Sequence, residues 1–344
     1  MGDGSLFIGQ SPRLSASSKM MGSSHRNVFL AGADEKSFSS QMSDSTENSV
    51  KRANTSNSRG NNGNNAVQFD TFASAASWVG VSPLVLEALK ARLKDMGIAV
   101  PEVQLPEIAT DDLFCDVFQM RYAALKLDLI DLYVVLGCAA KTLRCSHSLA
   151  LFLSGFSSYV TSLLYDLESA IIFPSLKMYG VILPLVLSTT ERLHRRNRVA
   201  SLAATAEKLL ARPSEPTRRV TLAAVDDFAR AVLAEIETRE VEIMKALRMH
   251  WAARSNDIEN LAGQAKELRR VVREHMVGVV GGEALAFVGR VFEADPKGRP
   301  NVEAWKKENL TVVRKFSYKT WKKNLHANHG SLVQSCVKLA DGAK

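Results

Sequence analysis

The chain has 344 residues, a formal net charge of +8, and 46% hydrophobic residues. This apolar share is normal for a globular protein, so the composition excludes a wholly disordered chain and allows a sizeable core. The four cysteines form no CxxC pair, which argues against a disulfide framework or a cysteine-based zinc site and favours a reducing compartment. The modest positive charge favours acidic partners such as nucleic acid or anionic lipid.

Residues 1–66 are rich in Ser and Asn and end in NTSNSRGNNGNN. They show no hydrophobic period and cannot bury enough apolar surface to offset the entropy lost on ordering, so we predict a disordered arm. The start of the chain lacks the apolar core of a secretory signal, and we expect an intracellular, cytoplasmic protein. The scarcity of acidic residues before Phe29 leaves an organelle transit peptide as the alternative.

Residues 67–109 predict a short helix followed by a proline-broken connector. In SPLVLEALKARLKDMG, Ser82 can cap the helix, Pro83 suits its first position, and Gly97 can close it in the left-handed conformation. We expect this element to dock on the segment that follows.

Residues 110–255 contain four long helical segments joined by short polar connections, and no strand-like alternation of comparable length. The predicted segments run over 110–142, 148–173, 188–212 and 220–254. Thr110 is the candidate cap of the first, Pro174 ends the second, and Ser188 with Glu191 forms a capping box at the third. Similar lengths and amphipathic faces predict an all-α fold, an up-down antiparallel four-helix bundle with extra N- and C-terminal helices.

Two of these segments carry features that bear on packing. Leu125, Leu129, Leu132 and Val135 form a single apolar stripe on the first helix. The stretch 146–165 has no charged residue, but seven Ser and Thr side chains interrupt it. A membrane span needs about 20 predominantly apolar residues, so we predict a buried bundle helix and no transmembrane segment.

Residues 256–344 predict additional helices and a basic, aromatic tail. Asn256 and Glu259 are placed for a capping box at the next helix. Residues 297–323 carry nine basic residues against two acidic ones. Lysines neutralise phosphates while aromatic rings stack on bases or enter a lipid headgroup layer. The candidate anion-binding residues are Lys306, Lys307, Arg314, Lys315, Lys319, Lys322, Lys323, Trp305 and Trp321. The simpler alternative is that the aromatic rings pack on the bundle and the lysines face water.

Two stretches of the bundle share a further pattern. The first helix contains RYAALKLDLIDL, and the second ends in LLYDLESAIIFPSL, where an acid precedes an apolar run and Phe-Pro. In this sequence pattern, residues 111–254 resemble the hemerythrin-like cation-binding domains. The resemblance implies an up-down four-helix bundle in which inward-facing His and carboxylate side chains hold a di-iron pair.

The positions that match the metal-ligand positions of that family are Tyr122, Glu168, His194 and Glu240. Leu164 and Ile236 stand where the resemblance would place histidines. Iron held by imidazole and carboxylate needs several neutral nitrogens, each held by a further acceptor, and this set cannot supply them. The resemblance therefore implies a degenerate domain with no metal or other cofactor. In it, Glu168 pairs with a base or is solvated, and hydrocarbon fills the centre.

We accordingly predict a protein that is not an enzyme, an interaction or scaffold module that binds a protein partner. The first alternative is an RNA-binding or capsid-like protein that uses residues 297–323 on nucleic acid, and the same residues could meet an anionic membrane surface. The second is a di-iron, oxygen-sensing domain that uses Glu168 and His194. The closely spaced His326 and His329 lack further ligands nearby in sequence, so we expect them in a solvated tail.

Overall fold

The computed structural model describes residues 81–103, 105, 115–254, 256–294, 305–307 and 310–342. Helices make up most of these residues and no strand occurs among them, which confirms the all-α prediction. The predicted arm 1–66 and the candidate cap Thr110 lie outside the described residues.

The helices are α1 Pro83–Asp95, α2 Met120–Lys141, α3 Ser146–Tyr159, α4 Phe173–Met178, α5 Thr189–Leu210, α6 Arg218–Ala252, α7 Ile258–His275, α8 Glu283–Gly289, α9 Val291–Ala294, α10 Val312–Leu325 and α11 Ser331–Asp341. Wider π-helical turns extend several of them, at Cys115–Gln119, Val160–Asp166, Glu168–Ile172, Met276–Val280 and His326–Gly330. Short 3-10 turns occupy Leu143–Cys145 and Leu185–Leu187.

The helix ends follow local sequence signals in most places. The Ser82 hydroxyl accepts a hydrogen bond from the Val85 N–H at the start of α1, and Gly97 closes that helix at φ +83°. At α5 the Ser188 hydroxyl accepts from the Glu191 N–H as predicted.

The capping box predicted at Asn256 is wrong. The N-cap of α7 is Asp257, which makes no side-chain capping bond, and its carboxylate accepts instead from the side chain of Asn260 at 2.9 Å. Because the helix begins one residue late, Glu259 falls short of the third helical position that a capping box requires.

The second predicted helix does not end at Pro174. The chain stays helical from Leu143 to Met178, because the backbone widens into the π-helical turn Glu168–Ile172 just before the proline. Pro174 is the second residue of α4 and follows directly after that wider turn.

The four long helices contact one another in cyclic order, α2 with α3, α3 with α5, α5 with α6, and α6 with α2. An ion pair and a hydrogen bond show how α2 and α6 run relative to each other. Lys126 of α2 meets Glu240 of α6, and Tyr133 of α2 meets Asp226 of α6. The numbers rise along α2 as they fall along α6, so these helices are antiparallel. This is the order of helix contacts that the predicted up-down bundle has.

Helix α2 departs from the predicted single stripe, because every residue from Met120 to Ala140 is buried. The extra helices α1, α8 and α11 contact it together with α3 and α6, so no side of it faces water. The core of the molecule is therefore centred on α2.

Helix α1 approaches α2 closely at one point. Its buried residues Leu86, Leu89 and Leu93 face the core, and a Cβ placed on Gly137 would lie only 2.9 Å from the Cβ of Leu89. Glycine at this position therefore lets the two helices meet.

One helix among the described residues, Leu143–Met178, is long and apolar enough to cross a membrane by length and composition alone. Of its most apolar stretch, 44% is buried against the rest of the protein, as in the core helix of a bundle. A single weakly apolar helix of this kind does not indicate a transmembrane segment.

Candidate functional site

The four positions matched to metal ligands do not converge. The hydroxyl of Tyr122 donates a 2.6 Å hydrogen bond to Oε1 of Glu168, so these two lie together in the core. Glu240 instead forms an ion pair with Lys126 on α2. His194 is exposed on α5.

Glu168 is held by two arginines that are fully buried. Nε of Arg239 donates to its Oε2 at 2.8 Å, and Nη2 of Arg121 lies 3.5 Å from its Oε1. With the Tyr122 hydroxyl, these donors engage both oxygens of the carboxylate. Positive charge reaches Glu168 from guanidinium groups, which confirms the prediction that this acid pairs with a base.

Each arginine is anchored by further contacts. Arg121 donates to the backbone carbonyls of Val117, at 2.7 Å, and of Leu163. Arg239 pairs with Glu235, one turn earlier on α6, and Nε of Arg195 lies 2.9 Å from that same acid. The cluster therefore joins α2, α3, α5 and α6 through one connected set of charges.

The protonation states in this cluster follow from burial and charge. Burial, and then the negative charge of Glu168, raise the pKa of Tyr122 well above its usual value, so the phenol stays neutral and donates its proton. Burial opposes the charge on Arg239, but attraction to Glu168 and Glu235 outweighs it and raises the pKa of Arg239. The Arg239 guanidinium is therefore held in its charged form.

The positions where the resemblance would place histidines hold packed hydrocarbon. Leu164 and Ile236 are both completely buried. At about 25 cal/mol per Å² of buried apolar surface, they stabilise the bundle rather than bind a ligand.

A second buried cluster joins the C-terminal part of the chain to α2. Nη1 of Arg290 donates to Asp128 at 2.8 Å and Nη2 donates to Asp131 at 3.0 Å. Nε2 of His329 lies 2.5 Å from Oδ1 of Asp128. All four side chains are buried.

The prediction that His329 lies in a solvated tail is wrong. The π-helical turn between α10 and α11 carries it into the core, where its ring also meets Phe152 at 4.2 Å between centroids. The sequence did contain a signal for buried partners at this place, the pair Asp128 and Asp131. Two acids three residues apart on an otherwise apolar helix share one face, and they require partners when that face is buried. The expectation of an interior filled by hydrocarbon alone is therefore also wrong.

Asp128, Asp131 and His329 are the described residues whose donor atoms are close enough to hold one cation, since these atoms lie within 4.8 Å of one another. Arg290 already supplies a positive charge to both carboxylates. Oδ2 of Asp128 and Oδ1 of Asp131 have no hydrogen-bond partner among the described residues. These residues and Arg290 form a buried cluster of ion pairs between α2 and the C-terminal helices.

The candidate anion-binding residues divide between the surface and the core. Lys307, Lys315, Lys319, Lys322 and Lys323 are exposed, while Lys306 and Arg314 are half-buried. Both tryptophans face the protein. Trp305 is buried against Phe292 and Tyr318, and Trp321 packs on Gly282.

This arrangement matches the simpler reading of the basic segment, in which aromatic rings pack inward and lysines face water. Trp305 is buried and Trp321 is half-buried, so neither ring is fully exposed for stacking on a base. The aromatic ring that α10 exposes is Phe316, at 76%.

Replacing Glu168 tests the energetic role of the first cluster. Glu168→Ala leaves the buried Arg121 without a carboxylate, and we expect the free energy of unfolding to fall by about 3–5 kcal/mol, as when one partner of a buried pair is removed. Urea denaturation followed by circular dichroism measures this. The control is Glu207→Ala at an exposed position of α5, expected within about 0.5 kcal/mol of the parent. An equal effect of the two substitutions would contradict the assignment.

The second cluster predicts a pH effect. Burial outweighs the attraction of Arg290 and raises the pKa of Asp131 to about 6. Between about pH 4 and 6 the folded chain therefore holds a proton on Asp131 that the unfolded chain has released, so this group's contribution to stability falls as pH rises. We expect the stability of the parent relative to Asp131→Asn to decline across this window by an amount on the order of 2 kcal/mol.

Denaturation of both proteins at several pH values measures that difference. Ser154→Ala, at an exposed position without a titratable group, is the control and should give a flat difference. A parent that gains stability over Asp131→Asn as pH rises from 4 to 6 would reverse the sign and refute the prediction.

Comparison with known proteins gives no relative from which to assign these clusters. No protein-family model, no curated protein and no solved structure matches the chain. The resemblance to hemerythrin-like domains therefore remains one of sequence pattern.

Proposed function

We propose that this chain is a non-catalytic interaction module, a helical bundle of hemerythrin-like type in which buried ion pairs stand where the family holds a metal. The observation that carries the proposal is the enclosure of Glu168 by Arg121, Arg239 and Tyr122. The carboxylate that best matches a family ligand is engaged on both oxygens by N–H and O–H donors.

The donor chemistry supports this proposal. Iron in such a site needs several neutral imidazoles and carboxylates with free lone pairs. A metal at Glu168 would have to displace a buried guanidinium, and the neighbouring Leu164 and Ile236 offer no ligand atom. The cluster suits a structural role, in which charge pairing fixes how four helices meet.

The contact surface that we assign to the module is α10. Val312, Val313 and Phe316 are each more than 70% exposed, and Lys315 and Lys319 stand among them. An exposed apolar group with lysines around it is complementary to a protein partner whose own surface combines apolar and acidic residues.

Metal analysis tests the non-metal part of the proposal. We expect full-length protein purified from iron-supplemented cells to contain far less than one iron per chain and to show no visible absorption band. Glu168→Ala is the matched variant, and its metal content should equal that of the parent. Stoichiometric iron that disappears in Glu168→Ala would establish the di-iron alternative instead.

RNA binding is the second candidate function, and the exposed lysines of α10 favour it. Lys315, Lys319, Lys322 and Lys323 lie on one helix and can meet successive phosphates of a strand. Backbone contacts of this kind need no base stacking, so they are compatible with the inward packing of the two tryptophans.

Titration of single-stranded RNA at several salt concentrations tests this candidate. If it holds, the logarithm of the affinity falls linearly with the logarithm of salt, because each phosphate contact releases counterions. The double variant Lys319→Glu with Lys323→Glu should then lower the slope by about 2, one for each contact. The double variant Lys208→Glu with Lys245→Glu, at exposed positions of α5 and α6, serves as the charge-matched control. No binding at low salt would remove this function.

A further inference from the structure

A cleft of about 740 Å³ opens beside the Glu168 cluster. Its lining comes from the π-helical turns Val160–Asp166 and Glu168–Ile172, α4, the loop from Val181 to Ser188, the first turns of α5, and Arg239 of α6. This volume lies within the range of about 300–1,000 Å³ that is usual for small-molecule sites.

Most of the cleft wall is aliphatic. Leu164, Val181 and Leu187 form buried parts of it, and Leu185 and Leu193 are exposed. Such a surface binds a flexible hydrocarbon chain by removing it from water, at about 25 cal/mol per Å².

The charged residues that line the cleft are mainly cationic. Lys177, Arg192, Arg196 and Arg239 stand against the single acid Glu168. Glu168 is already saturated by its buried donors, and Arg196 pairs with Asp166 at 2.9 Å. The positive charges at the cleft that no acid accounts for among these contacts are those of Arg192 and of the exposed Lys177.

Arg192 has only neutral hydrogen-bond partners among the described residues. Its guanidinium lies 3.5 Å from the hydroxyl of Ser169 and 3.3 Å from that of Thr189, and it covers the ring of Phe173 at 3.9 Å. Its Nε is buried without a hydrogen-bond partner in the described part of the chain. Partial burial lowers the pKa of Arg192.

A second donor at the cleft also lacks an acceptor among the described residues. Arg239 lines the cleft and its side chain is fully buried, yet its Nη2 has no hydrogen-bond partner among the described residues. The hydroxyl of Tyr165, which also lines the cleft, is likewise unpartnered there. Buried N–H and O–H groups without acceptors are costly, and an anionic ligand would supply the acceptors.

We infer that this cleft binds an amphiphile that combines an aliphatic chain with a single anionic head group, a carboxylate or a phosphate. The head group accepts hydrogen bonds from Arg192 and from the free donor of Arg239, and the chain lies along the leucine wall. The inference is independent of the proposed function, because a module without metal can bind such a ligand.

Calorimetric titration of the full-length protein with dodecanoate, dodecyl phosphate and dodecanol, each below its aggregation threshold, tests the inference. We expect dodecanoate or dodecyl phosphate to bind at one site per chain and dodecanol to bind at least tenfold more weakly. The two anionic probes identify which head group the site accepts. Equal affinity for dodecanol and both anions would overturn the ionic part of the inference.

Two arginines on the same helix provide the matched variants. Arg192→Gln removes the charge at the cleft, and we expect at least tenfold weaker binding of the anion with no change for dodecanol. Arg198→Gln removes an exposed charge outside the cleft and should leave both affinities unchanged. Equal effects of the two substitutions would show that the anion senses only the net charge of the protein.

A variant that fills the cleft distinguishes loss of the binding site from loss of the fold. Ser169 is exposed at the cleft, so Ser169→Trp places a bulky ring in the space without removing a core side chain. We expect it to abolish binding while the circular dichroism spectrum and the thermal midpoint stay near those of the parent. Unchanged binding in this variant would place the ligand elsewhere and refute the inference.

Discussion

The structure depends on the burial of α2 on every side. A helix surrounded in this way cannot send a polar side chain to water, so each polar residue that it carries must find a partner in another helix. Arg121 meets Glu168 of the segment after α3, Lys126 meets Glu240 of α6, and Asp128 meets Arg290 and His329. The surrounding helices are therefore positioned on α2 by charge as well as by packing.

These ionic contacts divide the interior into two regions with different roles. The cluster around Glu168 joins the helices of the predicted bundle and borders the cleft. The cluster around Asp131 joins α2 to the C-terminal helices. Buried pairs of this kind contribute little net stability compared with hydrocarbon, but loss of one partner is expensive, and they select one arrangement of helices over others. The helices around α2 are thus joined to it by charge pairing as well as by apolar packing.

The same physical chemistry connects the proposed function and the proposed ligand. Guanidinium groups of Arg121 and Arg239 pair with Glu168, one of the two acids matched to metal ligands. The arginines outnumber the acids at that end of the bundle, and the excess of donors faces the cleft. The proposed absence of a metal at Glu168 and the proposed binding of an anion beside it both rest on this balance of charges.

The sequence alone determined the helical class and the helix starts at Ser82 and Ser188, because these follow from local hydrogen bonding and from periodicity along one chain. For Glu168 it left open whether the acid pairs with a base or is solvated, and the structure pairs it with Arg239, 71 positions away. The sequence did not determine that α2 is buried on every side, that His329 contacts Asp128, or that a cleft lies beside Arg192. Those features join residues up to 201 positions apart, and no local pattern records which helix will lie against which. Only the tertiary structure decided them, since burial and the pairing of distant charges arise when the helices pack.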